Sequence, residues 1–358
     1  MNKKLLTLIF SLHVLLLFGQ SENKIIDSLM NNYYHSGEFN GSILVAKNGE
    51  TILKKGYGYA NFEWSIPNSS KTKFHIGSLT KQFTSMLIMQ LVEEQKLDLN
   101  AKISNYLPAF NESIADSISI FHLLTHTSGL IDYTSEEFWG DSVKLFHNRD
   151  YILDNYCGRG LKFVPGTQFD YSNAGYFILG VIIETSTGKN FEDVLHERIL
   201  NPLGMKNTGM FNPSKIVRES ATGYLKSNDK LQRAPYLDLR NVFSAGGMYS
   251  TVEDLFLWDK ALYSETLITS KYKDMLFKPY LNNYGFGWGI LDYKLENSGK
   301  SIHVVTHKGA VKGYRSILFR ITNNQHTIIL LDNAYSEGLG FEMCEKIMDI
   351  LYHENIKN

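Results

Sequence analysis

Gly77-Ser78-Leu79-Thr80-Lys81-Gln82-Phe83 joins a strand-like run, Lys73 to Ile76, to a stretch of apolar periodicity. Leu79, Phe83, Met86, Leu87, Gln90 and Leu91 follow i, i+4, i+7, i+8 spacing with one polar exception, so Thr80 to Lys96 is expected to be an amphipathic helix. Ser-x-x-Lys at its start puts the Ser78 hydroxyl and the Lys81 ammonium on one face of the first turn. A Ser there also meets the positive end of the helix dipole, which favours a developing alkoxide. Lys is a poor base at its free pKa of about 10.4. Burial or a neighbouring cation lowers that value, and a neutral Lys can take the Ser proton. The plain alternative is a serine that only caps the helix. The spacing also occurs at Ser21, Ser70, Ser186, Ser227 and Ser270, but only Ser78 opens a long periodic helix after a strand.

Upstream, Gly41 to Gly58 reads as a hairpin: Ser42 to Ala46, a turn at Asn48-Gly49, and a return over Thr51 to Leu53. From Leu99 to about Leu237 the pattern is helical or irregular, with Tyr176 to Thr185 a helix ending at Gly188. Thr251 caps another helix reaching Leu262. The last third turns to strands, Ile302 to His307, Tyr314 to Thr322 and His326 to Asp332, then a helix, Glu342 to Tyr352. Strands at both ends around a helical middle predict an α/β fold of the α+β kind: one mixed, mainly antiparallel sheet built from both termini, flanked by helices, with a largely helical insert. The boundaries drawn are 21–98 plus 240–358 for the sheet part and 99–239 for the insert, with the cleft between them as the ligand site.

Two further motifs bear chemistry. Tyr171-Ser172-Asn173 sets a phenol and a carboxamide two apart on a loop. Beside two cations a Tyr can lose its proton below its free pKa of about 10, and Asn offers a donor and an acceptor to a substrate amide. A buried Tyr with a satisfied hydroxyl is the bland alternative. His307-Lys308-Gly309 closes a strand, where Gly lets a substrate backbone lie along the edge. A free imidazole there gains charge only as pH falls through about 6.5.

In this order the three motifs resemble those of penicillin-recognising serine hydrolases: class C β-lactamases, D-alanyl-D-alanine carboxypeptidases and related esterases and D-amino-acid peptidases. Leu123 to Leu130, Pro165 to Ala174, Asn201 to Met205 and Ser244 to Ser250 extend the resemblance over roughly Ile25 to Tyr352. It implies that Ser78 is acylated, that Lys81 and Tyr171 share base and acid duty, and that Asn173 holds the substrate amide. It further implies an oxyanion hole from the backbone N–H groups of Ser78 and Ala310, with His307 and Gly309 beside the substrate and no metal or organic cofactor. Substrates would be small molecules or peptides, peptidoglycan fragments among them, cleaved at amide or ester bonds. A penicillin-binding or sensor protein that acylates without turnover is the alternative. Class C β-lactamases carry Lys-Thr-Gly where this chain has His-Lys-Gly, which argues against strong β-lactamase activity and leaves open whether Lys308 or Lys312 supplies the missing cation.

Lys3 and Lys4 before the apolar run Leu5 to Phe18, then Gly19, Gln20 and Ser21, read as a signal peptide of about residues 1–20. The run is too short to cross about 30 Å of hydrocarbon. Export to the periplasm or beyond is expected, with no stable membrane anchor. A formal net charge of -1 excludes an electrostatic nucleic-acid binder. No His-Glu-x-x-His or phosphate-binding loop occurs. His122 and His126 are read as structural, Cys157 and Cys344 as two buried thiols, and Trp288 as either cleft wall or core.

Overall fold

The computed structural model describes residues 22–134, 142–227, 230–295, 299–334 and 340–352, so the expected signal peptide lies outside the described residues. No helix among the described residues is long and apolar enough to cross a membrane.

Six antiparallel strands form the main sheet: β1 (Gly41–Lys47), β2 (Glu50–Tyr57), β3 (Gly289–Lys294), β4 (Ser301–Val311), β5 (Tyr314–Ile321) and β6 (His326–Asp332). Their order is β3-β4-β5-β6-β1-β2. Neighbours in space are neighbours in sequence except β6 and β1, where Gly41 pairs with Asp332 and the two ends of the chain meet. The sheet built from both termini is therefore borne out.

Both faces of the sheet are covered, and the strand period assigns each residue to one of them. Ile43, Val45, Ile328 and Leu330 pack against a helix over 22–35 and the C-terminal helix Phe341–Tyr352, through Ile26, Met30, Met343 and Ile347. Leu44, Ala46, Ile329 and Leu331 face the larger core shared with the helical part. Cys157 lies in this larger core and Cys344 in the other, so they are the two buried free thiols expected.

The central helix Thr80–Glu93 departs from expectation. Every residue from Thr80 to Leu91 is buried, so it is a core helix and not an amphipathic one. Its polar side chains find partners inside: Thr84 Oγ1 donates to the Ser244 carbonyl, and Gln82 Oε1 accepts from Trp258 Nε1. The insert also carries strands. Gly209–Met210 pairs with Met248–Ser250, which pairs with Phe74–His75 just before Ser78. Trp288 is core, its ring 5.4 Å from the Arg320 guanidinium.

Arg320 is an inward cation on β5. Its Nε donates to Asp259 Oδ1 at 2.5 Å, and both side chains are almost fully buried. Thr327 Oγ1 donates to the other carboxylate oxygen. Removing one partner of such a pair strands the other charge, at a cost of about 3–5 kcal/mol. Asp259→Ala should lower unfolding stability by that amount, read from urea transitions, whereas a loss below about 1 kcal/mol would show that Arg320 relaxes to another partner.

Candidate active site

Four pieces of chain converge on Lys81. A 3₁₀ turn, Gly77–Leu79, precedes the central helix, and Ser78 sits in it, partly exposed, with no cap hydrogen bond from its side chain. The cap alternative is thus not what Ser78 does. Gly77 has φ +50 and lies so close to β4 that a Cβ on it would come within 2.8 Å of the Ala310 amide nitrogen. That contact sets the Ser78 turn against the Ala310 backbone.

Gly309 serves the same approach, and here the expected role changes. A Cβ on Gly309 would meet the Ile76 carbonyl oxygen at 2.0 Å and Ser316 Oγ at 2.3 Å. The space a side chain would fill is occupied by the protein's own backbone, pinned by Ser316 Oγ donating to Ile76 O at 2.8 Å. The motif is also not at a strand end: β4 continues to Val311. Its partner β3 stops pairing at Thr306, so 307–311 keep only the β5 partner and one free edge.

The Lys81 ammonium is fully buried and donates to Ser78 Oγ (3.2 Å), Asn173 Oδ1 (2.7 Å) and the Ala245 carbonyl (2.8 Å). Its pKa is pushed down to about 7 by burial, against the pull of Asp132, which favours the charged form. Near neutrality, then, an amine with a free lone pair stands beside a serine hydroxyl. Lys81 Nζ is also 4.8 Å from the Tyr171 ring centroid.

Tyr171 is brought to the same place, but its expected ionisation is not. Burial raises its pKa, with Ser78 the neighbour that acts to lower it. The phenol makes no hydrogen bond of regular geometry and stays protonated. The amine is the ready base here and the phenol a proton donor.

Asn173 is the first residue of the helix Asn173–Thr187, not part of a loop, and Ser172 caps that helix by accepting from the Gly175 N–H. Asn173 Nδ2 donates to Thr134 Oγ1 (2.8 Å) and Asp132 Oδ2 (3.2 Å), while Oδ1 accepts from Lys81. Both donor hydrogens are engaged within the protein, so Asn173 orients Lys81 and reaches a substrate amide only by exchanging a partner. Asp132 also accepts from the backbone N–H of Asn173 and Ala174. Sequence reasoning missed Asp132 and Thr134. Their place just after Ser128-Gly129-Leu130, a stretch already singled out, was the available signal.

His307 faces the site from β4, its ring 6.2 Å from that of Tyr171. Its Nδ1 meets the Lys308 carbonyl at 2.6 Å, which can only accept, so Nδ1 carries the proton. Nε2 then accepts from the Tyr284 hydroxyl at 2.9 Å. Burial first, and Lys81 second, push its pKa to about 3. The expected gain of charge near pH 6.5 is therefore corrected: this imidazole stays neutral. Lys308 falls on the opposite face of the strand, its Nζ 3.7 Å from the Phe341 ring centroid on the C-terminal helix, and is not a cation of the cleft. His126 and His122 are structural: His126 Nδ1 accepts from the Ser172 N–H under the Tyr171 ring, and His122 completes a capping box with Ser119. Among the described residues no group of His, Cys, Asp or Glu is arranged to hold a metal.

The family model described as Beta-lactamase matches residues 24–345. Penicillin-binding protein 4* of Bacillus subtilis is 33% identical over 337 residues, covering 88% of this chain and 72% of that protein. A penicillin-binding protein from Bacillus halodurans superposes with TM-score 0.77 at 26% identity, over 90% of this chain and 98% of its own. D-amino acid amidase from Ochrobactrum anthropi shares the fold, with TM-score 0.78 at 24% identity over 92% and 98%. The fold and family expected from the three motifs are borne out.

Asp132 raises the Lys81 pKa, so Asp132→Asn should let it fall. The pH midpoint for reaction of Ser78 with a fluorophosphonate should then move below about 7. A midpoint that stays put, with reaction merely slower at every pH, would assign Asp132 to packing alone.

Proposed function

This chain belongs to the β-lactamase family, and from that premise we propose that it cleaves amide or ester bonds through an acyl-enzyme on Ser78. The observation that carries the reading is a buried Lys81 Nζ, with pKa about 7, standing 3.2 Å from Ser78 Oγ. Ser78 Oγ attacks the substrate carbonyl as its proton passes to neutral Lys81. The backbone N–H groups of Ser78 and Ala310 receive the oxyanion, whose charge exists only in the transition state. As the tetrahedral intermediate collapses, the leaving group takes a proton from Tyr171, which Lys81 reprotonates. Water then gives a proton to the same pair and attacks the acyl carbon, and the pair returns that proton to Ser78 Oγ as the ester bond breaks, releasing the acid and the free hydroxyl.

Small esters and D-configured amides, D-alanyl peptides among them, suit the site better than β-lactams. The neutral His307 supports esters and amides whose leaving group is uncharged, because no fixed cation of the third motif faces the cleft to hold a carboxylate, whether of a β-lactam or of a terminal D-alanine. The name of one neighbour, D-amino acid amidase, supports the amide class, whereas that of the relative penicillin-binding protein 4* names a β-lactam as its ligand. Export belongs to the proposal, on the strength of Lys3, Lys4 and the run from Leu5 to Phe18. The substrate would be met outside the cytoplasm.

A fluorophosphonate should label Ser78 once per chain, and Ser78→Ala should abolish both labelling and ester hydrolysis. Label found on Ser70 or Ser128 instead would remove the proposal. A burst of product with no steady state would favour the acylating sensor. Lys81→Ala and Tyr171→Phe should each cost on the order of 10²-fold or more in kcat/KM. As parts of one relay they should be non-additive, the double variant losing far less than the product of the two. Effects that multiply would separate the two roles. In the wild type the acylation rate should rise with pH through about 7, as Lys81 loses its proton. An additional inflection near 6.5 traced to His307 would contradict its neutral state.

A further inference from the structure

The free edge of β4 leads away from Tyr171. His307 sits beside the phenol, Ala310 beside the Ser78 turn, and Lys312 roughly 16 Å beyond His307 at about 3.3 Å per residue. A leaving group must lie near the proton donor, at the His307 end. The acyl group of a substrate on Ser78 therefore extends toward Lys312.

A cavity of about 480 Å³ lies at that end, with His75, Phe211, Leu237, Val311, Lys312 and Tyr314 in its wall. Its position follows from the chain: His75 is three residues before Ser78, and Val311 follows Ala310. One side is aromatic, with His75 edge-on to Tyr314 (4.9 Å) and Phe211 (5.4 Å). The wall is held in place. Tyr314 donates its hydroxyl to the Ala221 carbonyl at 2.7 Å, and a Cβ on Gly313 would come within 2.9 Å of Gly223 Cα. Among the described residues the lining has two cations, Lys312 and Arg233, and no carboxylate. Lys312 is exposed, and Arg233 only reaches Glu63 at 4.0 Å with 70% of its side chain exposed. His75 Nδ1 is buried with no hydrogen-bond partner, a state buried polar atoms seldom keep.

We propose that this cavity is the acyl-side subsite, and that it selects acyl groups ending in a carboxylate on a short apolar chain, with Lys312 and Arg233 as the specificity-determining residues. The apolar chain lies along Phe211, Leu237 and Tyr314, and the carboxylate meets the two cations. The inference rests on the acyl-enzyme reading above. It also places the missing cation of the third motif: Lys308 has turned to the far face of the strand, and Lys312 serves the acyl group instead of the leaving group.

The test compares mono-4-nitrophenyl adipate with 4-nitrophenyl hexanoate, which share a six-carbon acyl chain and a leaving group and differ in the terminal carboxylate. The wild type should favour the adipate in kcat/KM. The adipate-to-hexanoate ratio should fall roughly two- to fivefold in Lys312→Gln and in Arg233→Gln, the scale of a partly solvated ion pair. It should also fall at high salt. A ratio unchanged in both variants overturns the proposal. Fluorophosphonate labelling of the same samples reports on Ser78 separately, so a failed acyl-enzyme reading is not mistaken for a failed subsite. Ligand-observed NMR on Ser78→Ala protein needs no turnover: saturation should pass to adipic acid monobenzylamide more than to hexanoic acid benzylamide. That difference should vanish when Lys312→Gln and Arg233→Gln are added. Equal transfer to the two amides on Ser78→Ala would also overturn the subsite.

Discussion

The ammonium of Lys81 is taken out of water and given three acceptors, one local and two from distant parts of the chain: Ser78 in its own turn, Asn173 at the start of a helix in the insert, and the Ala245 carbonyl. Everything else in the site follows from housing that group. Burial penalises the charge, and each acceptor returns part of the loss. The balance leaves the amine near its midpoint at neutral pH, where it can both take and return a proton. Asp132 supports this at one remove, as it gathers the Asn173 amide and backbone and adds a negative field that keeps Lys81 from losing its charge altogether.

Such a group needs a rigid surround, which the sheet provides. Closing β6 onto β1 joins the two ends of the chain into one six-stranded sheet, in which β4 and β5 are interior strands. The Ser78 turn is then pressed onto β4 so closely that Gly309 and Gly77 leave no room for a Cβ. The contact sets the turn that holds Ser78 beside the Ala310 amide, with no side chain between them. A site on strands and a buried helix keeps its distances better than one on loops.

The third motif shows how strand parity sorts neighbouring residues. His307 and Gly309 look into the site, while Lys308 looks toward the C-terminal helix and lies over the Phe341 ring. A cation adjacent in sequence is thereby unavailable to the cleft. The imidazole that does face the cleft is held neutral by its burial and by Lys81, against the Lys308 carbonyl, while its two hydrogen bonds set its tautomer. Among the described residues, the cation hydrogen-bonded to Ser78 is Lys81, while Lys312 and Arg233 line the cavity that Val311 also borders.

Much of this was written in local patterns. The hairpin over Gly41 to Gly58, the strands after Ile302, the Thr251 cap and the Gly188 stop are short-range signals, and the structure has them. Ser78, Lys81, Tyr171, Asn173 and His307 were legible because their motifs came in a recognisable order, and the fold brings them together. Other features depend on partners far away in the chain. Asp132 and Thr134 carry no motif of their own, the Tyr171 phenol keeps its proton where an ionised base was expected, and His307 stays neutral well below the pH at which a free imidazole gains charge. The helix after Ser78 has the composition of an amphipathic helix, yet it is buried all round because Tyr176 from the insert, and Ser244 and Trp258 from beyond it, cover its polar side chains. The sequence by itself determined which residues carry the chemistry, since their types and spacing are local. Only the tertiary structure decided which of them are charged, what each one faces and where a substrate can extend, because desolvation and strand parity are properties of the packed whole.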